Sequence, residues 1–147
     1  MSLLLVLASL IVCPAVEDIK LDLKAAKFNP DGSELIGYNE GDERAFFYIN
    51  GSVTLTAKVP AEGEYTITLS AACTAALKEN AKINIFVGDK QVARDFTLTT
   101  EDQKDYTFTA KFKEGENKLK VEYTNDVYKE GEYDRNFYLH GAKLTKK

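Results

Sequence analysis

Tryptophan is absent from the 147 residues, histidine occurs once and cysteine twice. The lone histidine, His140, excludes a zinc site built on two imidazoles. It also leaves a single base for any Ser–His–Asp or Cys–His arrangement, and no motif sets it beside a nucleophile. Basic runs are missing apart from the closing Lys146-Lys147, and the net charge is −4. That excludes the electrostatic footprint of a nucleic-acid binder. Long apolar runs are missing too, except Leu3 to Val12. This stretch is too short to cross a bilayer as a helix but suits the apolar core of a secretory signal. Cys13-Pro14-Ala15 supplies small residues before a cut near Ala15. The expectation is a signal peptide over 1–15, one domain over 17–147, and a protein that is secreted or held in the periplasm or cell envelope. A buried N-terminal strand and a lipidated Cys13 are the competing readings of the same stretch. With a cut after Ala15, Cys73 stands alone and a disulfide framework is excluded.

What is present is alternation. Tyr65, Ile67, Leu69, Ala71 and Cys73 alternate with polar or small residues, as do Val53, Leu55, Ala57 and Val59. The same period of two runs through Ile83, Ile85 and Val87, then Tyr106, Phe108, Ala110 and Phe112, then Leu119, Val121 and Tyr123. Ile19, Leu21 and Leu23 open the series, and Phe137 and Leu139 close it. A period of two means one buried and one wet face. Many such runs joined by glycine-bearing turns predict an all-β antiparallel sandwich, or jelly roll. Two segments interrupt the pattern: the acidic, glycine-rich 29–44 and the loop 125–135 within the stretch 121–141. Residues 73–82 are read as a loop. Cys73 is read as a buried core residue, not a nucleophile.

Residues 126–134 hold four carboxylates, Asp126, Glu130, Glu132 and Asp134, with Tyr128 and Tyr133 among them. A solvated turn can carry such charge, because water and salt screen it. A hard cation explains it differently, since calcium takes six to eight oxygens from carboxylates, carbonyls and water. The spacing is not that of an EF-hand loop. Paired carboxylates can also hydrolyse glycosides across a deep site, but a small sandwich with short turns offers few walls for one.

The ending Asn125-Asp126, Gly131, Asp134-Arg135-Asn136-Phe137-Tyr138-Leu139 resembles the C-terminal signature of calcium-dependent, xylan-binding carbohydrate-binding modules. These are families 36 and 60, with family 35 as a wider relative. Val59-Pro60-Ala61-Glu62-Gly63-Glu64-Tyr65 and Gly88-Asp89-Lys90-Gln91-Val92 are similar to two further strand-and-turn segments of these modules. The resemblance spans about residues 17 to 146 and is most specific at Asp134-Arg135-Asn136. It implies a jelly roll, no catalysis, and an end-loop calcium ion that coordinates neighbouring hydroxyls of a xylan-like polysaccharide or oligosaccharide. A monomer with no membrane span is expected. Asp126 and Asp134 match the two acidic metal positions, and Tyr133 would add its backbone carbonyl. Glu132 and Glu130 join them as local candidates. Arg135 and Asn136 match the motif, as sugar contacts or as supports of the loop. Tyr128 and Tyr38 are candidates for stacking on a sugar ring. Tyr38 and Glu40 enter on the expectation that 29–44 meets 125–135. The chain departs from the pattern in lacking tryptophan and in a longer Asp126–Asp134 spacing. The alternative is a structural or protein-interaction sandwich, calcium-stabilised but without sugar binding.

Overall fold

The structure is a computed structural model that describes residue 11 and residues 16–147. Apart from Ile11, the expected leader lies outside the described residues, and Cys13 with it. Among the described residues there is no α-helix, and no helix long and apolar enough to cross a membrane.

The alternating runs pair into two antiparallel sheets. One has five strands: β2 (Lys27–Asn29), β5 (Gly51–Val59), β10 (Gly115–Tyr123), β7 (Lys82–Val87) and β8 (Lys90–Thr97), in that spatial order. The other has seven. Its main path is β3 (Ile36–Asn39), β4 (Arg44–Phe47), β12 (Tyr133–Lys146), β6 (Gly63–Thr74) and β9 (Lys104–Phe112). β1 (Ile19–Lys20) and β11 (Val127–Lys129) both pair with β12 as well. β12 is therefore the strand on which the sheet is organised.

The predicted faces are the observed ones. Leu55, Ile67, Leu69, Ile85, Leu119, Val121 and Leu139 have no solvent exposure. Burial of each large aliphatic side chain contributes about 1.5–3 kcal/mol. At one end the core turns aromatic. Phe47 and Phe137 lie 5.1 Å apart, and Tyr123 stacks on Phe137 at 5.9 Å. The Tyr123 hydroxyl donates to the carbonyl of Arg135 at 2.8 Å, so the core reaches the segment that bears the acidic motif.

Segment 29–44 is not the continuous loop its composition predicts. Ile36 and Tyr38 alternate with Gly37 and Asn39 to form β3, which pairs with β4. The apolar stretches are too short to stand out among the surrounding Gly, Asp and Glu. β8 was equally hard to read. Its pairing with β7 slips register at two places, which breaks the alternation. Residues 75–81 form turns with one isolated bridge, Ala76 to Glu79, as the loop reading anticipates.

Candidate functional site

The acidic stretch is a hairpin. Gly131, with φ of +71°, sits at its tip, a conformation that costs glycine little. The register sets Tyr128 opposite Asp134 and Val127 opposite Arg135. Residues directly opposite share a face, and the period of two brings Asp126 and Asn136 onto that same face. Asp126, Tyr128, Asp134 and Asn136 thus come together, and Arg135 points the other way.

Hydrogen bonds from residues distant in sequence fix this face from outside the hairpin. Thr74 on β6 donates its hydroxyl to the Asp134 carbonyl at 2.9 Å and accepts the Asn136 N–H at 2.9 Å. Asn50 accepts the Asp126 N–H at 2.7 Å. The next residue, Gly51, packs closely: a Cβ there would lie 2.5 Å from the Asn29 carbonyl oxygen. The Asn136 amide donates to Asp134 Oδ2 at 2.9 Å. A carboxylate only accepts, so the amide nitrogen faces it and the amide oxygen is turned away.

Two oxygens are then left over. Asp126 Oδ1 and Asn136 Oδ1 are both buried, with no hydrogen-bond donor. Such groups are rare and costly in folded proteins. Burial, and next the Asp134 carboxylate, pushes the Asp126 carboxyl above its usual range, while Arg135 opposes the shift. Two carboxylates and an unpaired amide oxygen are hard donors. That donor set fits calcium.

Arg135 is 4% exposed and serves the other side. Its Nε donates to the Glu79 carbonyl at 2.9 Å, and its Nη2 to the Ala76 carbonyl at 2.5 Å. Nη1 donates to the Asn125 carbonyl. The Asn125 side chain bonds Lys82 N and the Asn80 carbonyl, at 2.7 and 3.0 Å. One guanidinium thereby ties the 75–82 turn to the base of the hairpin. The buried fork is turned away from the carboxylate face.

Aromatic side chains flank the carboxylates. Tyr128 is 64% exposed on the carboxylate face itself. Farther along β12, Tyr138 follows Asp134 and Asn136 on the outer face, opposite Phe46. Tyr48 stands 5.0 Å from Phe46 and 6.3 Å from Tyr138, ring to ring, and Arg44 lies 4.0 Å over the Tyr138 ring. Sequence reasoning missed Tyr48, Tyr138, Asn50 and Thr74. The alternation 134, 136, 138 was a usable signal for Tyr138.

Other expected residues are not brought to this face. Among the described residues no three His, Cys, Asp or Glu side chains converge as for a metal. Glu130 and Glu132 flank Gly131 at the hairpin tip, and Glu132 pairs with Lys129 at 2.8 Å. Tyr133 lies opposite Lys129, on the reverse face from Asp134, leaving its carbonyl as the group it can offer. Tyr38 packs against the core and lines a separate pocket beside Leu21 and His140. Glu40 pairs with Lys24 at 2.9 Å. The expected meeting of 29–44 with 125–135 is made instead by Asn50, just beyond β4.

The family model for a Ca-dependent, xylan-binding carbohydrate-binding module, family 60, matches residues 66–147. None of the curated proteins matches the chain. Among solved structures, a family 36 module from a xylanase of the Trinervitermes trinervoides hindgut metagenome is 14% identical with a TM-score of 0.63, covering 87% of this chain and 96% of its own. A family 35 module from Clostridium thermocellum is 12% identical with a TM-score of 0.62, covering 90% of this chain and 100% of its own. A family 36 module in complex with calcium and xylotriose is 14% identical with a TM-score of 0.57, covering 88% and 99%. At these identities the structures speak for the fold.

Proposed function

The chain belongs to the family of Ca-dependent, xylan-binding carbohydrate-binding modules, and from that premise we propose that it binds a xylan-like polysaccharide through one calcium ion at Asp126 and Asp134. The observation that carries this is the pair of buried, donorless oxygens, Asp126 Oδ1 and Asn136 Oδ1. An oxygen that finds no donor in its own protein is arranged for something else. Asp126 and Asp134 would hold the ion by charge, Asn136 would add its amide oxygen, and Tyr133 its carbonyl. Calcium bound there would offer its remaining coordination positions to neighbouring hydroxyls of a sugar.

The chain's own residues do the rest. Arg135 and Thr74 hold the two carboxylates in register. Tyr128 and Tyr48 present flat rings, suited to the C–H face of a pyranose, with a hydroxyl at the edge. The chain has no tryptophan for this task. No step of bond making or breaking is assigned to the domain, which serves to hold a polysaccharide. Residues 17–147 act as one module, exported to the cell envelope or beyond under the leader at 1–15.

Retention on insoluble xylan tests this. Binding in calcium, loss in EDTA and recovery on calcium addition are expected. Equal retention with and without the ion would contradict the proposal. Calcium uptake without retention would leave a metal-stabilised sandwich with another partner.

A further inference from the structure

The outer face of β12 does not end at Tyr138. His140 comes next on it, at a bulge where the register with β6 shifts between Leu139 and Gly141. There a pocket of about 450 Å³ opens, between the segment after β1 and the outer residues of β6 and β9. Leu21, Leu23 and Tyr38 give it an apolar wall, while Ser70, Asp105 and His140 line it with polar groups. Its remaining lining balances: three lysines and three carboxylates border it in all. A pocket without net charge suits a neutral ligand. An apolar wall with a few hydroxyl, carboxylate and imidazole groups suits one that has a C–H face and a hydroxyl rim.

Burial, and next the Arg44 guanidinium, holds His140 below its ordinary value, so the imidazole is neutral at pH 7. A neutral imidazole offers one donor and one acceptor, as a sugar hydroxyl does. The pocket lies on the same face of β12 as the carboxylates, farther along the strand. Asp134, Asn136, Tyr138 and His140 succeed one another along one strand, with Phe46 and Arg44 beside Tyr138. From Asp134 to His140 is about 20 Å, at roughly 3.3 Å per strand residue.

We propose that this pocket is a second saccharide subsite, and that one xylan-like chain lies along β12 from the carboxylate pair to His140. This rests on the calcium-and-sugar reading above. It deepens that reading by making the ligand an extended stretch of polymer and not a terminal sugar or a short oligosaccharide.

The chain has one histidine, so its ring resonances in an NMR spectrum assign themselves. The test titrates the full chain, saturated with calcium, with xylotriose and with xylohexaose, following His140 by NMR and affinity by calorimetry. The hexasaccharide should shift the His140 resonances and bind about tenfold more tightly than the trisaccharide, a difference of about 1.4 kcal/mol. His140 resonances unmoved by saturating hexasaccharide, or equal affinities for the two sugars, would overturn the extended path. Failure of both sugars to bind in calcium would instead sink the calcium-and-sugar reading, and the second subsite with it.

Discussion

Two aspartates near opposite ends of β12 have opposite environments. Asp18 lies beside the far end, where it accepts from Lys143 at 2.9 Å and from the Thr145 hydroxyl at 2.5 Å. These hydrogen bonds, Thr145 first, hold its carboxyl below the usual range. Asp126 lies beside the near end, partly buried, with one oxygen lacking any donor and its carboxyl pushed up. The first carboxylate is satisfied by the fold it belongs to. The second costs the fold stability, and the cost is intelligible if the carboxylate is kept for a ligand. A surface with many acidic residues therefore contains two kinds, and hydrogen bonding separates them where sequence does not.

The comparison can be broken from its supports inward. Arg135→Met should have the largest effect. It leaves the Ala76, Glu79 and Asn125 carbonyls without their donor, and each orphaned buried group costs about 1–3 kcal/mol. Chemical denaturation should show a loss of several kcal/mol, with weaker calcium binding. Asp134→Ala should lower calcium affinity about a hundredfold or more, since affinity follows the number of charged ligands. Titration would show it, with the EDTA-treated fold still melting cooperatively. Tyr48→Ala should weaken xylan-oligosaccharide binding about tenfold, or about 1.4 kcal/mol. Calcium affinity should stay as it was.

The smallest effects on the stability of the metal-free chain are the sharpest, because they have opposite signs. Asp126→Asn should abolish calcium binding yet raise the melting temperature of the metal-free chain, by removing a buried charge without a partner. Asp18→Asn should lower the melting temperature slightly and leave calcium binding alone, as expected for an exposed pair. The two differ in the sign of their linkage to pH. Asp126 has a raised folded-state pKa, so its unfavourable contribution is relieved as pH falls through that value. Asp18 has a lowered one, so its favourable contribution, present above the ordinary carboxylate range, is lost as pH falls. Melts of the metal-free variants from neutral to acidic pH should show both gaps closing, one from above the parent and one from below.

The sandwich was legible because its strands carry their burial in their own alternation. Tyr65 to Cys73 reads as a buried face in sequence and is one in the fold. The acidic stretch was marked by its charge and by the family resemblance of Asp126, Asp134 and Asn136, but the hairpin that sets them with Tyr128 on one face was not read from the sequence. What else escaped was non-local. Asn50 meets Asp126 across 76 residues, and Thr74 meets Asn136 across 62. No local pattern encodes such contacts. Arg135 reads as a sugar contact or a loop support, and its three carbonyl partners, which explain its burial, lie on a turn about 56–59 residues away and at Asn125. Glu40 and Tyr38 were placed by a presumed meeting of loops, but β3 and β4 turn that segment toward Lys24 and His140.

The most direct test of the central claim is a calorimetric titration of the EDTA-treated chain with calcium, followed by xylan-derived oligosaccharide. The account predicts one calcium ion per chain, lost in Asp126→Asn and weakened about a hundredfold or more in Asp134→Ala, and sugar binding only after the ion is in place. Unchanged calcium uptake by both variants, or sugar binding in EDTA as strong as in calcium, would contradict it.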